Sequence, residues 1–129
     1  MGRGVAILVS GEERGFFTID TTLSLAARHL ARHVVEPIRR QRIDVHTLLC
    51  LDRLPPPPSK SSIENALRVR HWPLIPSNFP KHVAQAARRL HCFQQLTKYE
   101  ARTSRTSAFV LLTRPDALWY SDLPSIASF

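Results

Sequence analysis

Val5-Ala-Ile-Leu-Val9, closed by Ser10-Gly11, is the run on which the fold turns. It lacks the alternation of a strand with one wet face, so it predicts a strand buried on both faces of a parallel sheet. Asp20 is placed to cap the helix that follows. There Leu23, Ala27, Leu30, Val34 and Ile38 recur at helical spacing, while Arg28, Arg32, Arg39 and Arg40 fall elsewhere on the wheel. Pro37 has no amide hydrogen and clashes with the preceding turn, which predicts an end or a kink near Val35-Glu36. Val45-His-Thr-Leu-Leu-Cys-Leu51 then reads as a second strand, β-branched at its start and apolar at its end.

Beyond this strand-helix-strand unit, Pro55-Pro-Pro-Pro58 with Ser59, Lys60, Ser61 and Ser62 predicts an extended Pro/Ser-rich connector over 54–62. From Ser62 to Asn78 the pattern is open between a short helix over Ile63 to Leu67 and an alternating strand over Arg68 to Trp72. Pro80 suits the first turn of a second long helix. Its apolar stripe is Val83, Ala87, Leu90, Phe93 and Leu96 or Thr97, with Arg88, Arg89, Lys98 and Arg102 off it. Thr103 to Ser107 breaks the pattern, and Phe109-Val-Leu-Leu112 predicts a third buried strand stopped by Pro115. The expected fold class is α/β, a mostly parallel sheet flanked by helices, in a single domain over 1–129. Such sheets hold ligands at the carboxyl ends of their strands.

Composition agrees with one globular domain. The chain has 129 residues, 43% of them hydrophobic and 22% charged, which excludes wholesale disorder and collagen-like or disulfide-scaffold architectures. No apolar run approaches the roughly 18 residues of a membrane span, and the first is too short for the core of a secretory signal. A cytosolic or organelle-internal location is the expectation. Ala6 occupies the position where a myristoylation motif wants Ser or Thr. Cys50 and Cys92 have no CxxC spacing and sit among apolar neighbours, so both are expected to be buried thiols. The net charge of +8 is uneven: residues 1–53 carry +2, 54–106 carry +7 and 107–129 carry −1. The middle block attracts phosphate-rich partners, be they nucleic acid, an anionic surface or a nucleotide.

Two loops offer chemistry. Ser10-Gly11-Glu12-Glu13-Arg14-Gly15 lies where the first strand hands over to the first helix. Its glycines permit close backbone approach, and Arg14 can present a fork to a phosphate, while Glu12 and Glu13 repel one unless turned away. The spacing is neither GxGxxG nor a Walker loop. Thr113-Arg114-Pro115-Asp116 ends the third strand, on the same rim if the strands are parallel neighbours. There Asp116 is a candidate oxygen ligand for Mg²⁺ or Mn²⁺, joined by Asp122 only if the chain folds back. His29 and His33 stand at zinc-ligand spacing but lack the Glu of HExxH and an obvious third ligand. No nucleophile elbow appears.

The stretches Val5–Gly11 with Arg14-Gly-Phe16, Val35-Glu-Pro-Ile38, Gln94-Gln-Leu-Thr-Lys-Tyr-Glu100, and Thr113-Arg-Pro-Asp-Ala-Leu-Trp119 with Asp122-Leu-Pro124 carry a resemblance. In order and spacing, over nearly the whole chain, the sequence resembles a glycosyltransferase-like family with a GT-A type nucleotide-diphospho-sugar transferase fold. The resemblance implies a nucleotide sugar as donor, transfer of the sugar to a hydroxyl acceptor, and a divalent cation (Mn or Mg) with Arg stabilising the diphosphate leaving group. It implies phosphate contacts from Ser10, Gly11, Arg14 and Gly15, leaving-group stabilisation by Arg114, and a metal or ribose contact by Asp116. Family members commonly carry an Arg where this chain has Leu112, and they continue beyond the point matching Phe129 into an acceptor-binding part. The implied architecture is therefore the N-terminal half of that fold, with a partner chain to complete the sheet. Two other classes stay open. One is a non-catalytic basic binding protein contacting nucleic acid or a larger complex through Arg68, Arg70, Arg88, Arg89, Lys98, Arg102 and Arg105. The other is a fragment whose exposed sheet edge aggregates.

Overall fold

The fold follows from one central strand. In the computed structural model, which describes residues 3–73 and 78–125, β1 (Arg3–Gly11) pairs with β2 (Asp44–Leu51) on one side and β4 (Thr106–Thr113) on the other. A short β3 (Val69–His71) lies outside β2, giving the order β3-β2-β1-β4 with every pair parallel. Side chains alternate across a strand. Val5, Ile7 and Val9 accordingly join Leu30, Val34, Ile38, Ile63 and Leu67 on one face, while Ala6 and Leu8 join Leu48, Cys50, Cys92 and Leu96 on the other. β1 is buried from Val5 to Ser10, as its unbroken apolar run predicts.

The first face is covered by α1 (Leu25–Leu30), a π-helical turn over Ala31–Val35, α2 (Glu36–Arg40) and α3 (Pro57–Leu67). Ser24, not Asp20, caps α1, its Oγ accepting the Ala27 amide at 3.2 Å; Asp20 instead accepts the Thr22 amide at 2.9 Å in the preceding loop. Pro37 neither ends the helix nor breaks it, because the wide π turn comes immediately before it and absorbs the misfit. A proline removes the donor that would serve the carbonyl four residues back, here that of His33. That carbonyl accepts the Leu123 amide at 2.8 Å, and the His33 ring meets Asp122 at 2.8 Å. Proline thus creates the acceptor that ties the segment after β4 to the helix.

The connector expected over 54–62 is helical from Pro57 onward. Pro57 and Pro58 occupy the first turn, where amide hydrogens have no intrahelical partner and a fixed φ favours the helix. The stretch left open between helix and strand contains both, α3 ending at Leu67 and β3 following; its residues 74–77 lie outside the described ones.

The second face is covered by α4 (Ala84–Thr103), which starts one turn after Pro80, with Phe79 packed beside it. Its inward residues are Cys92, Leu96 and Tyr99, whereas Leu90 is 60% and Phe93 40% exposed, so the buried stripe is rotated from the one the sequence suggests. Cys50 of β2 and Cys92 of α4 form a disulfide, not two buried thiols. Periodicity places each cysteine in an apolar setting but carries no information on which element faces which. β4 is an edge strand, with Phe109 and Val110 each 42% exposed, which corrects the expectation of a third buried strand. No helix among the described residues is long and apolar enough to cross a membrane.

His46 lies on β2 beneath α4, 1% exposed, stacked on Tyr99, with neither ring nitrogen hydrogen-bonded among the described residues. Burial pushes its pKa below the ordinary 6.5, opposed by Asp44 and reinforced by Arg105. The unfolded chain therefore binds a proton that the folded chain refuses, so this contribution is intact above pH ~6.5 and is lost as pH falls from there through the lowered folded value. In urea titrations from pH 7.5 to 4.5, His46→Leu is expected to remove that loss. A wild-type minus variant difference that stays flat with pH would refute it.

Candidate functional site

The order β3-β2-β1-β4 fixes where a ligand can enter. From β1 the chain moves to β2 and β3 on one side, with helices on one face, then crosses through α4 on the other face to β4. The strand order therefore reverses at β1, and the loops that leave the neighbouring carboxyl ends of β1 and β4 border a crevice. Ser10, Gly11, Glu12 and Arg14 from the β1 loop, Gln85 and Arg88 from α4, and Arg114, Pro115 and Asp116 from the β4 loop line a cavity of about 200 Å³ there.

Each wall has a local cause. Gly11 has φ +150°, and a Cβ on it would lie 3.0 Å from Pro115 Cδ, so glycine lets the two loops approach. Arg14 and Gly15 both have positive φ and turn the chain sharply. Glu13 points away from the crevice: its amide donates to Asp52 at 2.9 Å and its carboxylate accepts the Phe17 amide at 3.0 Å. Glu12 points in. It accepts a 2.9 Å bond from Arg14 Nε, which holds the Arg14 pKa above its ordinary value, and lies 3.6 Å from Arg88. Arg114 forks onto Asp116 through two bonds of 3.0 and 2.9 Å.

No family model, curated protein or solved structure matches this chain. The site's reading rests on its own residues.

Of the residues singled out from the sequence, Ser10, Gly11, Arg14, Arg114 and Asp116 share the crevice. Gly15 does not; it lines a neighbouring depression with Glu13, Asp52 and Arg53. Asp122 is held at His33 and does not join Asp116. His29 meets His33 and Tyr120 edge-on, and no group of three potential metal-ligating side chains exists among the described residues. Both oxygens of Asp116 face Arg114, so a hard cation, which takes six or more oxygens, finds no free carboxylate edge there. The side chains present do not fit a resident Mg²⁺ or Mn²⁺.

Arg88 is the site residue that helical spacing sets elsewhere: it falls off the expected apolar stripe with Arg89, Lys98 and Arg102, yet its side chain is only 14% exposed. The spacing Arg88, Cys92, Leu96, Tyr99 is itself a helical face, and it is the one turned toward the sheet.

Proposed function

We propose that the protein is a glycosyltransferase-like binder of a nucleotide sugar, with the diphosphate seated in the crevice between β1 and β4. The observation that carries this is the convergence of Ser10, Gly11, Arg14, Arg114 and Asp116, from loops a hundred residues apart, on the topological switch point of a parallel sheet. A 200 Å³ cavity suits the diphosphate portion. Whole-ligand pockets run to roughly 300–1,000 Å³, so the nucleoside and sugar lie along the open rim. The associated chemistry breaks the bond from the anomeric carbon to the diphosphate oxygen and forms one to an acceptor hydroxyl oxygen, which gives up its proton. Arg14 and Arg114 stabilise charge gathering on the departing diphosphate. The outer side of β4, where no further strand lies among the described residues and Phe109 and Val110 are partly exposed, supports a further strand from a partner chain pairing there.

The nucleic-acid alternative gains little from the arrangement. Arg88 faces the crevice, Arg105 pairs with Asp44 at 3.1 Å, and Arg68 and Arg70 line a groove at the opposite end of β2. These four arginines of the +7 block are thus divided between two ends of the sheet.

Thermal melts against UDP-, GDP- and CMP-linked sugars test the reading. A diphosphate-linked donor at ~100 times its dissociation constant is expected to add roughly 2.7 kcal/mol, and a monophosphate-linked one less. A cooperative melt that no nucleotide sugar moves would overturn it.

A further inference from the structure

We propose that the crevice is a diphosphate clamp that works without a divalent cation, and that Arg88 of α4 is its principal anion ligand. This rests on the nucleotide-sugar reading and goes beyond it by naming the charge that neutralises the ligand. Arg88 is mostly buried, and its Nε has no hydrogen-bond partner among the described residues. Its ion pair with Glu12, at 3.6 Å, is longer than a charged hydrogen bond of about 2.7–2.9 Å. A guanidinium carries five N–H donors in a fixed fork, and burying one without a partner is unfavourable, so Arg88 is poised for an acceptor that this chain does not supply. It cannot easily withdraw to solvent, because Cys92, one turn further along α4, is bonded to the sheet.

The remaining charges agree. Arg14, Arg88 and Arg114 face Glu12 and Asp116, an excess of one positive charge inside the cavity. A diphosphate entering between the loops takes over Arg88 from Glu12, meets its fork, and reaches the N–H donors of Arg14 and Arg114 that Glu12 and Asp116 leave unused. With Asp116 held at both oxygens by Arg114, the arginines supply the counter-charge that a cation supplies elsewhere.

Isothermal titration of the full chain with inorganic pyrophosphate, then with UDP and UDP- or GDP-linked sugars, decides it, each in EDTA and again with Mn²⁺. Binding is expected in EDTA, and Arg88→Gln should weaken it roughly ten- to a hundredfold without moving the melting temperature. Arg88→Lys keeps the charge but not the fork, and should recover only part of the affinity. Binding that appears only with Mn²⁺, or that neither variant changes, overturns the clamp. Nucleotide-sugar binding indifferent to Arg88 overturns the clamp and leaves the donor reading intact. Pyrophosphate binding that depends on Arg88, with no nucleotide bound, upholds the clamp and overturns the donor reading. Failure of every ligand overturns both.

Discussion

Removing the Cys50–Cys92 bridge is expected to lower the unfolding free energy by about 4 kcal/mol, because it releases a closed loop of 42 residues in the unfolded chain. The chain-entropy relation gives roughly 3 kcal/mol for a 15-residue loop and 4.7 for 100, which brackets this one. Native geometry adds a second reason. α4 presents only Cys92, Leu96 and Tyr99 as buried residues, while Leu90 and Phe93 stay largely exposed, so apolar contact holds this helix weakly. The bridge takes the place of the missing contact. Urea unfolding of the oxidised chain, the reduced chain and the Cys50→Ala/Cys92→Ala variant measures it, and a loss below about 1 kcal/mol in both altered forms would refute it. The effect reaches the crevice, since Arg88 lies one turn from Cys92. Reduction should therefore weaken pyrophosphate binding along with stability, whereas a bridge that served stability alone would leave binding unchanged.

What the sequence made legible were features that a single element declares by itself. Val5–Val9 is apolar at every position and bounded by glycines, a pattern that a strand covered on both faces satisfies, and β1 is such a strand. The two loops that build the crevice were legible for the same reason: once β1 and β4 are parallel neighbours, Gly11 and Arg114 must share a rim. What stayed hidden depended on how elements face one another. Around α4 the series Val83, Ala87, Leu90, Phe93 and Leu96 or Thr97 competes with Cys92, Leu96 and Tyr99, and periodicity alone does not choose between them. The first series leaves Arg88 off the apolar face, whereas the second sets it on the face turned to the sheet. The disulfide links residues 42 apart on different elements, so no spacing rule reports it. Pro57 and Pro58 illustrate a third kind of miss: the same residues that favour an extended chain also open a helix, and the burial of Ile63 and Leu67 in the first core cluster, beside α1 and the π turn, decides for the helix.

Leu8→Ala is expected to cost about 3 kcal/mol and Leu112→Ala about 1, although the two leucines are direct register partners on the same sheet face. Leu8 belongs to the central strand, is fully buried and packs with Leu48, Cys50, Cys92 and Leu96; truncating it opens a cavity between β1 and α4 that a sheet strand cannot collapse to fill. Leu112 lies on the edge strand and is only partly buried, so water already wets part of what truncation would remove. The pair is thus its own control: side chain, strand direction and neighbours are shared, and cover is what differs. Urea midpoints of the two variants, with equal slopes, give the comparison. Because Leu8 shares one buried cluster with the bridged cysteines, its cost in the Cys50→Ala/Cys92→Ala background should fall short of additivity. Equal costs for Leu8→Ala and Leu112→Ala would refute the edge assignment of β4 and mean that, in solution, something covers that strand as fully as α4 covers β1.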